Sequence, residues 1–240
     1  MEEQRAFEEI PAVACRNLTK MYGDKTALYN VNLTLPRGRI IGLLGPNGSG
    51  KTTLIKILAG VLQATSGEVS VNGYAPGAES KATVSYLSDR NFLSSWMTPR
   101  QAIAYYADFF ADFDSARASE MISSLGIDLD KKIKYLSKGT KEKVQLVLAM
   151  SRRAYLYMLD EPIAGVDPAA RDYILSTIIS NYDPMATVII STHLIYDVER
   201  VLDEFIFILN GQVVRYDNAE AARLAEGKSI DELFREVFRC

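Results

Sequence analysis

The chain has 240 residues, 48% hydrophobic and 24% charged, with a formal net charge of −3, so a sizeable core is within reach and one large or two small domains fit. The acidic balance, with a pI of about 5.4, argues against a nucleic-acid partner bound through bulk charge. Two distant cysteines, Cys15 and Cys240, show no metal-ligand spacing and suit a reducing compartment.

The start, Met1-Glu2-Glu3-Gln4-Arg5, lacks the apolar stretch of a signal peptide, and no apolar run approaches the ~18 residues of a membrane span. Val13 to Leu18 reads as a strand, and Tyr22-Gly23-Asp24 as a turn. From Leu28 to Leu35 apolar residues alternate with Asn30, Asn32 and Thr34, as in a half-exposed antiparallel strand. Pro36-Arg37-Gly38 turns the chain into Ile40-Ile41-Gly42-Leu43-Leu44, an apolar run fit for a buried strand.

The next eight residues, Gly45-Pro46-Asn47-Gly48-Ser49-Gly50-Lys51-Thr52, match G-x-x-x-x-G-K-[ST], the phosphate-binding loop. Its glycines let several backbone N–H groups turn toward one anion. The segment Thr53 to Leu58 has helical apolar spacing, and a helix starting there adds its free N–H groups and positive dipole end. Lys51 reaches the β- and γ-phosphates of a nucleotide, and the Thr52 hydroxyl ligates Mg²⁺.

Ser66-Gly67 and Asn72-Gly73 bracket a short strand, Glu68 to Val71, with hairpin-type pairing expected. Val84 to Leu87 is another strand. Helical spacing then starts at Thr98-Pro99, continues through Asp114 to Leu125, and resumes from about Lys138 to Arg152. Strand and helix alternate afterwards over Tyr155–Leu159, Pro168–Ser180, Thr187–Ser191, Ile195–Leu202 and Glu204–Leu209, an α/β parallel-sheet pattern. Asn210-Gly211 turns into a last strand, Gln212–Arg215, and Ser229 with Glu232 forms a capping box before a terminal helix.

Two further groups fit the phosphate loop. Tyr155 to Leu159 is an apolar strand ending in Asp160 and Glu161. Asp160 is placed to hold Mg²⁺, directly or through water, and Glu161 to polarise an attacking water. His193, the sole histidine, follows the strand Val188 to Thr192 at the sheet edge where open α/β folds bind ligands, and a γ-phosphate contact is expected of it.

Together these residues resemble the nucleotide-binding subunit of ATP-binding cassette transporters. Leu136-Ser137-Lys138-Gly139-Thr140 is similar to the family signature usually written LSGGQ, and Ser137 lies 23 residues before Asp160. Ala164-Gly165-Val166-Asp167 resembles the D-loop, Ser191-Thr192-His193 the switch-histidine loop, and Tyr22 stands where the family stacks an aromatic ring on adenine. The resemblance runs from about residue 12 to 216. It implies a single nucleotide-binding domain over 1–240. Its parts would be a P-loop NTPase core with a parallel sheet, a small antiparallel β subdomain, a helical subdomain at about 90–152 and a helical tail at about 217–240.

The resemblance also implies ATP and Mg²⁺ as ligands, with the catalytic set Glu161, His193 and Asp89, and a nucleotide contact from Thr53. Asp89 aligns with a glutamine usual in the family; it keeps an oxygen for the metal but, ionised, cannot donate a hydrogen bond. Lys138 and Thr140 replace glycine and glutamine, while Ser137 and Gly139 remain to act on the nucleotide of a second cassette. A separately encoded membrane subunit, a homo- or heterodimeric cassette partner and a cytoplasmic place at the inner face of the membrane follow by the same resemblance, with export favoured. Phe92, Leu93, Trp96 and Met97 read either as core or as part of a groove for a membrane-subunit helix. A soluble cassette ATPase and a small-molecule kinase sharing only the phosphate loop are the alternatives. The single cassette without sustained heptads argues against the former, and a kinase does not require Leu136–Thr140 or His193.

Overall fold

The computed structural model describes residues 10–164 and 168–238. Its elements, in chain order, are β1 (Val13–Tyr22), β2 (Lys25–Leu35), β3 (Ile40–Leu44), α1 (Lys51–Leu58), β4 (Ser66–Val71), α2 (Ala78–Ala82), β5 (Val84–Leu87), α3 (Pro99–Phe109), α4 (Ser115–Ser124), α5 (Lys138–Met150), β6 (Leu156–Asp160), α6 (Pro168–Asn181), β7 (Thr187–Thr192), α7 (Ile195–Val198), β8 (Glu204–Leu209), β9 (Gln212–Asn218), α8 (Ala219–Glu226) and α9 (Ile230–Val237).

Among the described residues the strands form two sheets, one in the order β2-β1-β4 and one in the order β5-β6-β7-β3-β8-β9. The second is parallel from β5 to β8 and closes with β9 antiparallel to β8. Alternation along β3 divides the core between its faces. Ile41 and Leu43 join α1 and the antiparallel sheet on one side. Ile40 and Leu44 join α5, α6 and the C-terminal helices on the other. Strands covered on both faces need near-continuous apolar sequence, which β3, β6 and β7 have.

The expected helices and strands form, most within two residues of the limits read from sequence. Thr98 caps α3 in a box with Gln101, Asp114 caps α4, Ser137 caps α5, and Ser229 caps α9 in a box with Glu232. Three differences stand out. β4 pairs antiparallel with the distant β1 rather than in a local hairpin; the Asn72-Gly73 turn makes only a bridge from Val71 to Tyr74. The segment Ile195–Leu202 is one short α-helix continued as a 3₁₀ turn over Glu199–Val201. β1 and β2 also extend to Tyr22 and from Lys25, so the turn there is the tip of a long hairpin.

The helical layer α3–α5 has its own apolar cluster, including Ile103, Ile122, Val144 and Leu148. Arg152, at 4% exposure, ties it to the main sheet. Its guanidinium takes both oxygens of Asp112 at 3.0 and 3.1 Å and donates to the carbonyls of Val84 and Ala82. It also lies 4.0 Å from the centroid of the Phe110 ring. Arg152→Ala leaves two carbonyls and a carboxylate short of a donor, so urea unfolding should show a loss of about 3 kcal/mol. A loss below about 1 kcal/mol would mean that water replaces the guanidinium without cost.

Candidate nucleotide-binding site

The C-terminal ends of β3, β6 and β7 lie side by side, with Leu44 paired to Thr192 and Asp160 to Ser191. This adjacency brings residues 45–52, 160–161 and 191–193 together. The loop after β3 needs its glycines for identifiable reasons. A Cβ on Gly45 would stand 2.4 Å from the Ile208 carbonyl oxygen. Gly50 has φ +114° and sits against the backbone of Ala27 on β2. The β1–β2 hairpin is thereby packed on the phosphate loop, and Tyr22 stands half-exposed at its tip with the Lys20 ammonium 5.2 Å from its ring centroid.

Lys51 is 5% exposed. Its ammonium donates to the carbonyls of Gly45 at 2.7 Å and Pro46 at 3.2 Å and lies 3.4 Å from Glu161 Oε1. The loop is therefore closed on its own lysine, with the cation placed where an anion would draw it. Asn47 and Gly48 are exposed on the crest of the loop, and Thr53 is half-buried in the first turn of α1.

Asp160 is 1% exposed. The hydroxyls of Thr52, at 3.2 Å, and Ser191 both donate to its Oδ1, while Oδ2 is buried with no partner among the described residues. Burial pushes its pKa up, the two hydroxyls work in the opposite direction, and the charges of Asp89 and Glu161 raise it further. A buried carboxylate with one free oxygen beside a hydroxyl suits a hard cation. Among the described residues no group of three or more His, Cys, Asp or Glu could hold a metal ion. Thr52 and the free Oδ2 of Asp160 fit the sparse protein ligation of Mg²⁺, which takes its other ligands from phosphates and water.

Glu161 has φ +52°, an uncommon conformation for a side-chain-bearing residue. Its N–H is held by the carbonyl of Ser191 at 3.0 Å and the Ser191 hydroxyl at 3.2 Å. This turn aims the carboxylate at its neighbours. Thr192 Oγ1 donates to Oε2 at 3.1 Å, and His193 Nδ1 lies 3.1 Å from both oxygens. Asp89 is exposed at the end of β5, accepts from Ser88 Oγ at 3.1 Å, and lines the same cleft of about 430 Å³ as Asn47, Asp160, Glu161 and His193.

Ser137, Lys138 and Gly139 open α5 at a different place. Ser137 is exposed and accepts from Thr140 N–H at 3.2 Å; a Cβ on Gly139 would meet nothing within 4 Å. Lys138 pairs with Glu142 at 3.8 Å and, with Lys141, reaches the rim of the chain's own cleft. Asp167 lies outside the described residues. Motif reading did not single out Gln145, Glu142 and Lys141, which also line the cleft; their position one to two turns into α5 is the signal that could have found them.

A family model described as ABC transporter matches residues 28–164. The chain belongs to the ABC transporter family. An ABC transporter ATP-binding protein of Methanocaldococcus jannaschii is 31% identical over 219 residues, covering 88% of this chain and 79% of that protein. A lantibiotic transport ATP-binding protein of Streptococcus pyogenes is 28% identical over 224 residues, covering 91% and 94% respectively. A solved ATP-binding subunit of an ABC transporter superposes with a TM-score of 0.85 at 28% identity, covering 95% of this chain and all of the other. The chain is thus an ABC ATPase of the kind that serves as the ATP-binding subunit of a transporter, with the P-loop NTPase fold.

Lys51→Ala should weaken ATP binding by about 10- to 100-fold, the worth of one charge-assisted contact to phosphate. Fluorescence titration measures this, and an unchanged far-ultraviolet circular dichroism spectrum shows that the fold survives. Unaltered affinity would remove Lys51 from the phosphate site.

Proposed function

We propose that this ABC ATPase binds Mg·ATP in the cleft at the ends of β3, β6 and β7 and hydrolyses it to drive export through a separate membrane subunit. The observation that carries this reading is that the half-free carboxylate of Asp160 and the buttressed carboxylate of Glu161 line one cleft, with the Lys51 ammonium 3.4 Å from Glu161. The phosphates of ATP draw Lys51 off the Gly45 and Pro46 carbonyls and lie against the N–H groups of residues 47–53, with adenine on Tyr22. Thr52 and Asp160 would hold Mg²⁺, with Asp89 offering it a further oxygen. Glu161 takes a proton from the water that attacks the γ-phosphorus as the bond to the bridging oxygen breaks, and His193 orients Glu161 and contacts the γ-phosphate.

The exposed start of α5 suits a second cassette. Ser137, Lys138 and Gly139 would close over the γ-phosphate held by the partner copy, or by a related chain, with Asp167 at the same junction. Water is excluded only when both sides meet. For the membrane subunit, Phe92, Leu93, Trp96, Met97, Tyr105 and Tyr106 line an apolar cavity of about 220 Å³ on the helical layer, and Trp96 is 63% exposed. An aromatic groove suits an apolar helix. No helix among the described residues is long and apolar enough to cross a membrane; the proposed location, cytoplasmic and held at the membrane by its membrane subunit, rests on the family relationship. Export draws its support from the lantibiotic transport relative. In this reading 1–240 is one nucleotide-binding domain, with 90–152 as its helical subdomain and 217–240 as a tail.

Glu161→Gln should keep ATP binding and lower turnover by roughly 10²–10⁴-fold. With ATP and Mg²⁺, light scattering on that variant should give about twice the monomer mass, and with ADP the monomer mass. A turnover loss below about tenfold would exclude Glu161 as the base. A monomer with trapped ATP would contradict the two-sided site.

A further inference from the structure

We propose that Gln145 is a positioning residue of the nucleotide site: its buried amide oxygen, together with Glu142, accepts hydrogen bonds from the water shell of the divalent cation. This rests on the reading in which Thr52 and Asp160 hold that cation. Ser85 Oγ donates to the Ala149 carbonyl at 2.8 Å, which registers α5 against β5. One helical turn back from Ala149 is a rise of about 5.4 Å, and two residues onward from Ser85 advance β5 by about 6.6 Å. Gln145 and Leu87 are thereby brought to one wall of the cleft that also holds Asp160 and Glu161.

Gln145 is 4% exposed, and its Oε1 is buried with no hydrogen-bond partner among the described residues. Glu142, three residues earlier on the same helix face, carries a second such oxygen, Oε2. Lys138 lies near the other oxygen of Glu142, Oε1, at 3.8 Å. Burying an unpaired amide oxygen costs folding free energy, and a leucine in its place would avoid that cost. A ligand that pairs with it accounts for the amide.

The ligand must donate on this side, because the unpaired atoms are acceptors, as is Asp160 Oδ2. Phosphate oxygens are acceptors and would be repelled. The water ligands of Mg²⁺ are donors, and the ion retains several of them when bound. Direct ligation is not required of this wall, in keeping with the lack of a metal-binding cluster among the described residues; a bridging water does the work. The β5–α5 junction would then sense whether the nucleotide carries its cation.

The test measures ATP affinity by fluorescence titration with Mg²⁺ and with excess EDTA, alongside thermal unfolding. Gln145→Leu should unfold at the same or a higher temperature and bind metal-free ATP within about twofold of the parent chain, while the gain in affinity on adding Mg²⁺ falls at least about fivefold. Gln145→Glu, which retains an acceptor, should keep the gain. Gln145→Met is read in the same way should the leucine variant fail to fold. Asp160→Asn probes the underlying reading; if it keeps the full Mg²⁺ gain, the cation is not at Asp160 and the proposal falls with that reading. If Asp160→Asn removes the gain and Gln145→Leu does not, the cation site stands and the proposal is overturned. An equal loss with and without Mg²⁺ in Gln145→Leu also overturns it, since it marks a packing role only.

Discussion

The site depends on a carboxylate taken out of water. Asp160 is held at the end of the buried strand β6, where solvation cannot keep it charged, and two hydroxyls from neighbouring elements supply part of what water would. Thr52 lies in the first turn of α1 and Ser191 near the end of β7, so one oxygen of Asp160 joins three elements of the fold at the candidate site. The sheet order β6-β7-β3 is what makes this possible. Inserting β7 between the phosphate-loop strand and the carboxylate strand also brings Thr192 and His193 beside Glu161. Removing the Ser191 hydroxyl would loosen both carboxylates, since it also accepts from the Glu161 N–H.

Around this fixed point the resting site is neutralised from within. Lys51 lies between two carbonyls and Glu161, so the cation meant for phosphate and the proposed base hold each other. In the proposed reading, a nucleotide that takes Lys51 onto its phosphates would break this pair and release Glu161 toward water. On that proposal, binding and readiness for hydrolysis would be linked by one ion pair in a low-dielectric pocket, where such pairs are stronger than at the surface.

Much of this was legible in the sequence. The phosphate loop specifies itself through glycine geometry, and apolar strands ending in Asp160-Glu161 and in His193 place those groups on one sheet edge by topology alone. Capping residues marked the starts of α3 and α9. What sequence could not give was anything set by a partner distant along the chain. The pairing of β4 with β1 crosses the whole phosphate loop and α1. Arg152 stands in the sequence only as the end of a helical stretch, yet Asp112, Val84 and Ala82 surround it in the fold. Gln145 reads as a polar residue in an amphipathic helix, and only its packing on β5 shows the amide turned toward the cleft. The short helix α2, five residues in a turn-rich stretch, is too short to show a period, whereas α8 falls within the helical tail expected at about 217–240.

The exchange at Lys51 is the central claim, and a crystal structure of the Glu161→Gln chain with ATP and Mg²⁺ tests it most directly. The account predicts the triphosphate in the loop of residues 45–52, Lys51 Nζ moved from the Gly45 and Pro46 carbonyls onto phosphate oxygens, and the cation between Thr52 and Asp160 Oδ2. A nucleotide bound in that loop with Lys51 still on the two carbonyls, or a triphosphate bound elsewhere, would contradict it.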